Sequence, residues 1–235
     1  MNAMLTEPIR LEFEPQVILL EMQRQWMKNN NYLLVDPATH RSVLVDPAWR
    51  IDKVERALTE TRSTLSGILI THAHFDHIHL AKPLADVYDC PIWMSQQEID
   101  ASGFRARQLV AIDETSWNVG KLRIEPILTP GHTPGCVCYR VGDHLFTGDV
   151  LFAEGCGLCL DLPSAHAMFD SLQMLKKRIG PDTGIFPGHT YVRPPGQKFS
   201  EVLGYNIYMQ IADRDSFAAY RLRRGQSQSK LLDFR

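Results

Sequence analysis

The stretch Thr71-His72-Ala73-His74-Phe75-Asp76-His77 constrains this chain more than any other, because four of its seven residues can bind a metal ion. An apolar run, Gly67-Ile68-Leu69-Ile70, leads straight into it and reads as a short buried strand over 67–71. Residues two apart on an extended segment share a face, so His72 and His74 point to one side. Past the strand end, Asp76 and His77 can turn toward a second centre. Two imidazoles for one ion, and a carboxylate with an imidazole for another, suit zinc, iron or manganese. A histidine cluster alone is equally a surface metal trap, or a loop of mutually hydrogen-bonded rings. The rest of the chain decides between these readings. His132 in Thr129-Pro130-Gly131-His132-Thr133, Asp149 in Thr147-Gly148-Asp149 and His189 in Pro187-Gly188-His189 each follow an apolar, strand-like run. Five histidines and two aspartates delivered to strand ends point to a metal site.

A chain of 235 residues is within reach of one domain with one sizeable core, and no linker rich in Gly, Ser or Pro divides it, so 1–235 reads as a single domain. The net charge of −2 lacks the basic excess of a nucleic-acid binder. Within the first thirty residues Glu7, Glu12 and Glu14 interrupt the chain, and no apolar run exceeds Val17-Ile18-Leu19-Leu20. That pattern is neither a signal peptide nor a membrane span. The cysteine count, five, is odd and argues against a disulfide framework, so a cytoplasmic protein is expected. Cys136 and Cys138 read as small apolar residues on one strand face. Cys156-Gly157-Leu158-Cys159 lacks the second pair that a four-sulfur site needs, which favours loop packing.

In chain order, Val17 to Leu20 reads as a strand, and 32–35 with 42–45 as a hairpin around the turn-forming stretch 36–41. Ile51, Val54 and Leu58 recur at helical spacing, predicting a helix over 51–62. Residues 80–87 read as helical, 91–94 as a strand, and 95–102 as helix or turn, while 103–120 show no clear period. Strands follow at 121–128, 137–141 and 145–147, then an irregular loop over 150–163. Ser164 reads as a helix N-cap, with Ala165, Met168, Phe169, Leu172, Leu175 and Ile179 on one face and Gly180-Pro181 as the stop. Ile185-Phe186 leads to His189. Residues 199–224 look helical, within a short C-terminal extension over 199–235. This order predicts two packed sheets with helices outside, an α+β fold.

The sequence His72-x-His74-x-Asp76-His77 followed by His132, Asp149 and His189 resembles the metallo-β-lactamase fold superfamily. Supporting matches are Asn31-Tyr32-Leu33, Val45-Asp46-Pro47, Thr129-Pro130-Gly131-His132-Thr133-Pro134-Gly135 and Phe146-Thr147-Gly148-Asp149, so the likeness runs from about Asn31 to Tyr191. It implies an αββα sandwich with two divalent ions, most simply Zn2+, at one edge of the sheets. By that likeness His72, His74 and His132 hold the first ion, Asp76, His77 and His189 the second, and Asp149 bridges them. Asp46 would steady a ligand from behind, or be a turn residue before proline. Asp149-Val150-Leu151-Phe152, Gly155-Cys156-Gly157 and Gly188-His189-Thr190-Tyr191 are similar to the glyoxalase II (hydroxyacylglutathione hydrolase) branch. An aspartate at 149 speaks against antibiotic hydrolysis, and His74 stands where flavodiiron proteins place a glutamate. Three features depart from the branch. His79-Leu80 replaces glycine, making His79 a rim histidine or a helix-start residue. Leu158 replaces a common arginine, and the chain after His189 is too short for a full glutathione-gripping domain.

The resemblance implies hydrolysis of a thioester of glutathione, coenzyme A or an acyl carrier protein by a metal-bound hydroxide, with Asp76 orienting the attacking oxygen. Short members of the branch occur in polyketide-type biosynthetic clusters. A thiolate leaving group, of thiol pKa about 8.5, needs little acid assistance, which fits a chain with no evident proton donor. Tyr191, Arg193 and His79 stand as candidates for substrate contact. The tail, with Arg221, Arg223, Arg224, Lys230 and Arg235 against Asp233, reads as a solvated helix face or as a surface for an acidic carrier or a phosphopantetheine phosphate. The rival readings are a mononuclear iron persulfide dioxygenase using His72, His132 and Asp149, a lactonase on the same site, and a metal-binding module without catalysis.

Overall fold

The computed structural model describes residues 14–223. Strands β1 (Gln16–Arg24) and β3 (Arg41–Val45) flank β2 (Met27–Val35), each antiparallel to it. β4 (Thr64–Leu69), β5 (Ile92–Ser95) and β6 (Leu109–Ile112) then add in parallel to complete a six-stranded sheet in sequence order. Parallel neighbours need crossovers, and helices supply them. These are α1 (Ile51–Thr61), α2 (Phe75–Ile78) with α3 (Ala81–Tyr88), and α4 (Gln96–Ser102). The second sheet runs β12-β11-β10-β9-β8-β7. Its strands are β7 (Trp117–Val119), β8 (Leu122–Leu128), β9 (Val137–Val141), β10 (His144–Gly148), β11 (Gly184–Pro187) and β12 (Gln197–Lys198). Helix α5 (Leu162–Arg178) carries the chain from β10 to its parallel neighbour β11. Helices α6 (Phe199–Tyr205), α7 (Ile207–Gln210) and α8 (Arg214–Arg221) follow.

The period of two along the strands dictates the layering. Tyr32, Leu34, Val43 and Val45 face Ile124, Val137, Tyr139 and Phe146 between the sheets. The alternate residues Leu33 and Leu44 pack outward under Val54, Leu58 and Leu84 of the first helical layer. On the other side Met168, Leu172 and Leu175 cover Cys138, Leu145 and Ile185. The result is the helix-sheet-sheet-helix order read from the sequence. Strand direction then sets the site. β8, β10 and β11 point the same way, so the loops after all three emerge at one end of the sheet, as does the loop after β4 in the facing sheet.

Several expectations are corrected. Ser164 is not the N-cap of α5. Asp161 is, accepting from Ser164 N at 2.9 Å, while Ser164 Oγ lies 3.0 Å from Asp161 N as the reciprocal half of a capping box. The helix expected over 199–224 is three short ones. Extended backbone at buried Asn206 breaks it, and the side chain caps α7 through Tyr208 N while donating to Phe152 O and Gly155 O. Arg221 is no solvated residue: it is buried, donating to Tyr208 Oη at 2.8 Å. Arg224, Lys230, Asp233 and Arg235 lie outside the described residues. The unassigned region 103–120 holds β6 and β7, whose short lengths carry too few alternations to read. Among the described residues no helix is long and apolar enough to cross a membrane.

Asp36 joins the two sheets. Its carboxylate accepts from Ala38 N at 2.8 Å, from Thr39 Oγ1 and from Lys121 N at 2.7 Å, next to Gly120 in a left-handed turn. Burial opposes its charge, but the donors from Thr39, Lys121 and Ala38 hold its carboxyl below the usual range. A lowered folded-state pKa contributes stability that is complete above the unfolded value of about 3.9 and is lost as pH falls through the folded value. Asp36→Ala is expected to lower the unfolding free energy by about 1–3 kcal/mol at pH 7 in urea titrations. The gap from wild type should close below about pH 4.

Candidate metal centre

Four imidazoles are held from behind by their Nδ1 atoms. His132 Nδ1 donates to Leu158 O at 2.8 Å and His189 Nδ1 to Lys28 O at 2.6 Å. A carbonyl oxygen cannot donate, so both rings carry the proton on Nδ1. Asp46 Oδ2 accepts from Thr71 Oγ1 at 2.6 Å and lies 2.9 Å from His77 Nδ1, while Thr71 Oγ1 lies 3.1 Å from His72 Nδ1. The Thr71 hydroxyl proton is spent on Asp46, so His72 Nδ1 must donate. All four rings therefore turn their Nε2 atoms to the interior of the site.

Those atoms converge on carboxylates and on each other. His74 Nδ1 lies 3.0 Å from both His72 Nε2 and His132 Nε2. One ring nitrogen can donate to at most one of them, so protons do not satisfy the trio. Zn–N bonds of about 2.0–2.1 Å put tetrahedral ligand atoms about 3.3 Å apart, close to this spacing. Beside it, Asp76 Oδ2 lies 3.6 Å from His77 Nε2 and 3.5 Å from His189 Nε2. Asp149 reaches both groups: Oδ1 is 3.4 Å from His77 Nε2, and Oδ2 is 3.4 Å from His189 Nε2 and 3.7 Å from His132 Nε2. His77 Nε2 and Asp149 Oδ1 are buried without a hydrogen-bond partner. A divalent cation in each ligand group fits this donor set, satisfying atoms that are otherwise costly to bury.

Charge follows from the geometry. Burial opposes protonation of His77, yet the Asp149 carboxylate and the Asp46 hydrogen bond carry its pKa up to about 10. Burial resists the Asp149 charge as well, and is outweighed by His189 and His77, which hold its carboxyl well below the usual range. His72, with burial and the His77 charge both against it, is pushed well below 6.5. A cation entering this cluster takes the place of the proton on His77.

Residues that the sequence reading passed over build the frame. Three successive buried asparagines on β2 each reach a different loop. Asn29 Nδ2 donates to Asp76 Oδ2 at 2.9 Å, and Asn29 Oδ1 accepts from Trp49 Nε1 at 2.8 Å. Asn30 Nδ2 donates to Pro187 O and Thr190 Oγ1 beside His189. Asn31 donates to Asp46 O and accepts from Ala48 N. Buried Glu98 does the same from α4: Oε1 accepts from Ala73 N at 2.7 Å, and Oε2 from Thr133 Oγ1 at 2.6 Å and Gly135 N at 3.1 Å. It thereby clamps the loop of His72 and His74 to the loop of His132. A run of polar residues in an otherwise strand-like stretch was the signal for 29–31. A lone glutamate in an amphipathic helix gave none.

A sequence profile of the metallo-beta-lactamase superfamily matches residues 25–189. The chain belongs to that superfamily. Among curated relatives, a probable polyketide biosynthesis zinc-dependent hydrolase, BaeB of Bacillus velezensis, is 43% identical over 213 residues, covering 90% of this chain and 95% of that protein. A hydroxyacylglutathione hydrolase of Edwardsiella ictaluri is 36% identical over 148 residues, 63% of this chain and 56% of that one. The crystal structure of ETHE1 from Myxococcus xanthus superposes with a TM-score of 0.77 at 26% identity, over 92% of this chain and 95% of that one.

Within this superfamily fold the ligand loops open onto a cavity of about 430 Å³. His74, Asp76, His132, Asp149 and His189 line it, as does Tyr191, whose hydroxyl burial keeps protonated. Two other candidates for substrate contact are not in its lining. His79 packs its ring against Trp49 and Phe75, and Arg193 stacks on Tyr205 at 4.0 Å. Cys156 and Cys159 are free and buried.

Gly188 leaves no room for a side chain: a Cβ there would lie 2.6 Å from His77 Cε1 and 2.7 Å from Asp149 Oδ1. Gly188→Ala is expected to cut metal content by at least half in elemental analysis while far-UV circular dichroism stays unchanged. Glu98→Ala, which strands the buried Gly135 N–H and the half-buried Ala73 N–H, is expected to lower stability by about 2–4 kcal/mol in denaturant titrations.

Proposed function

We propose that the protein is a dinuclear zinc hydrolase cleaving an acyl thioester of the coenzyme A or acyl-carrier type. The observation that carries this reading is the position of Asp149, one oxygen toward His77 and the other toward His132 and His189, between two complete ligand groups. His72, His74 and His132 would hold one ion and Asp76, His77 and His189 the other, with Asp149 common to both. The likeness to BaeB supports both zinc and a polyketide context.

Two ions bound there would supply Lewis acidity and lower the pKa of a bound water from about 15.7 to about 7. The chain's own residues do the rest. Asn29 pins the Asp76 carboxylate at 2.9 Å, so it would accept a hydrogen bond from the attacking oxygen in one orientation only. Tyr191 lines the cavity and burial keeps its hydroxyl protonated, which makes it the candidate donor to oxygen charge developing on the thioester carbonyl. The leaving thiolate, of thiol pKa about 8.5, departs without a general acid, which matches a site where His79 and Arg193 do not line the cavity.

A second reading, a mononuclear iron persulfide dioxygenase on His72, His132 and Asp149, draws on the likeness to the Myxococcus ETHE1 structure. It leaves Asp76, His77 and His189 without a task, although Asn29, Asp46 and Lys28 orient each of them. Elemental analysis combined with a thioester panel tests the choice. About two zinc ions per chain and turnover of an acyl thioester are expected. One iron per chain, with oxygen uptake on glutathione persulfide, would replace the hydrolase reading. Asp149→Ala should lose both ions and nearly all turnover, whereas His189→Ala should weaken only the second ion. Tyr191→Phe should lower kcat/KM by about tenfold or more.

A further inference from the structure

The cavity beside the candidate metal ligands is lined in part by exposed apolar residues. Trp26 sits at the apex of the two-residue turn between β1 and β2 and is 66% exposed. Leu160 sits on the loop between β10 and α5 and is 83% exposed. Both line the same cavity, together with Met27, Phe152 and Leu158. A tryptophan and a leucine held this far into water on separate loops, next to a reactive centre, mark a surface completed by an apolar ligand. The loop that carries Leu160 is not adventitious in position. Asn206 donates to Phe152 O at 3.1 Å and to Gly155 O at 3.0 Å, and His132 is tied to Leu158 O. Charge points the same way. Among the described residues that line the cavity, Lys28 is the one lysine or arginine while Asp76 and Asp149 are carboxylates, so a thiol carrying two carboxylates finds little to pair with. A neutral, amide-bearing thiol arm meets no such penalty.

We propose that this cleft is the acyl-chain site, taking an apolar chain of several carbons between Trp26 and Leu160 and so selecting longer acyl thioesters over acetyl and over glutathione thioesters. The proposal rests on the thioesterase reading of the same centre. Burial of each methylene is worth about fourfold in affinity or in kcat/KM, so the chain-length profile reads the site directly. Trp26→Ala and Leu160→Asp alter exposed side chains and leave the core untouched.

The test uses the full-length, zinc-loaded protein with acetyl-, butanoyl-, hexanoyl- and octanoyl-pantetheine, and with lactoylglutathione. In wild type, kcat/KM is expected to rise at least about tenfold from acetyl to hexanoyl, with lactoylglutathione below hexanoyl. In either variant the hexanoyl-to-acetyl ratio should fall to about threefold or less. A flat profile in wild type, or an undiminished slope in both variants, overturns the proposal. If no thioester is cleaved, the reaction reading fails, and hexyl- and ethyl-pantetheine thioethers titrated by calorimetry take over. Tighter binding of the longer chain in wild type, lost in Leu160→Asp, sustains the acyl site, and equal binding removes it. If an unacylated carrier protein binds as tightly as an acylated one, and Trp26→Ala abolishes both, the surface docks protein and the proposal is wrong.

Discussion

Burying imidazoles in a fixed orientation is the constraint on which the rest of this molecule depends. A free histidine ring offers either nitrogen and turns about two bonds. Here the Nδ1 atoms of His72, His77, His132 and His189 are each engaged, by Thr71, Asp46, Leu158 O and Lys28 O, and only Nε2 remains to face the interior. Two of those partners are main-chain carbonyls. The backbone of the β1–β2 hairpin and of the loop after β10 must therefore hold position for the site to exist. Buried nitrogens and carboxylates within 3.0–3.7 Å of one another are unfavourable unless positive charge lies among them. The Asp149 carboxylate is the largest force raising the pKa values of both His77 and His189 against the burial that lowers them.

Such a cluster needs an enforcing frame, and the frame is polar. Asn29, Asn30 and Asn31 lie where a strand would ordinarily bury aliphatic residues; the first two amides reach the loops of Asp76 and His189, and the third the loop of Asp46 behind His77. Glu98 ties the loops of His74 and His132 from the other side. A buried amide or carboxylate is favourable only when its hydrogen bonds are complete, so these side chains reward one loop arrangement and penalise every other. The short helices at the C-terminal end extend the frame outward. Asn206 interrupts the helical run and anchors the loop that walls the cavity, so the end of the described chain governs the shape of the entrance.

Much of this was legible in the residues. The apolar runs of β2 and β3, the alternation of β8, the helical period over 51–62 and the apolar face of α5 announced a layered fold, because burial imposes a pattern whatever the neighbours are. The convergence of His72, His74, Asp76, His77, His132, Asp149 and His189 was legible too, because the loops that carry them follow strand-like runs. The failures have physical causes. Ser164 passed for an N-cap because a capping box holds a polar residue at both of its ends. The break at Asn206 hid in a helical pattern because its reward, two carbonyls some fifty residues away, is absent from local sequence. Arg221 read as solvated because its partner, the Tyr208 hydroxyl, lies on another helix.

What the sequence by itself determined is the identity and order of the chemical groups, and the periods that place them at strand ends. Which ends meet was decided only by tertiary structure. Strand direction brings the loops after β8, β10 and β11 to one rim of a sheet, and packing of the second sheet brings the loop after β4 to face them. The same holds for the frame and the cleft. A hydrogen bond from Asn29 to Asp76, or a cavity shared by Trp26 and Leu160, joins residues far apart in the chain. Distance in space is settled by the packing of the whole core, and local sequence carries no record of it.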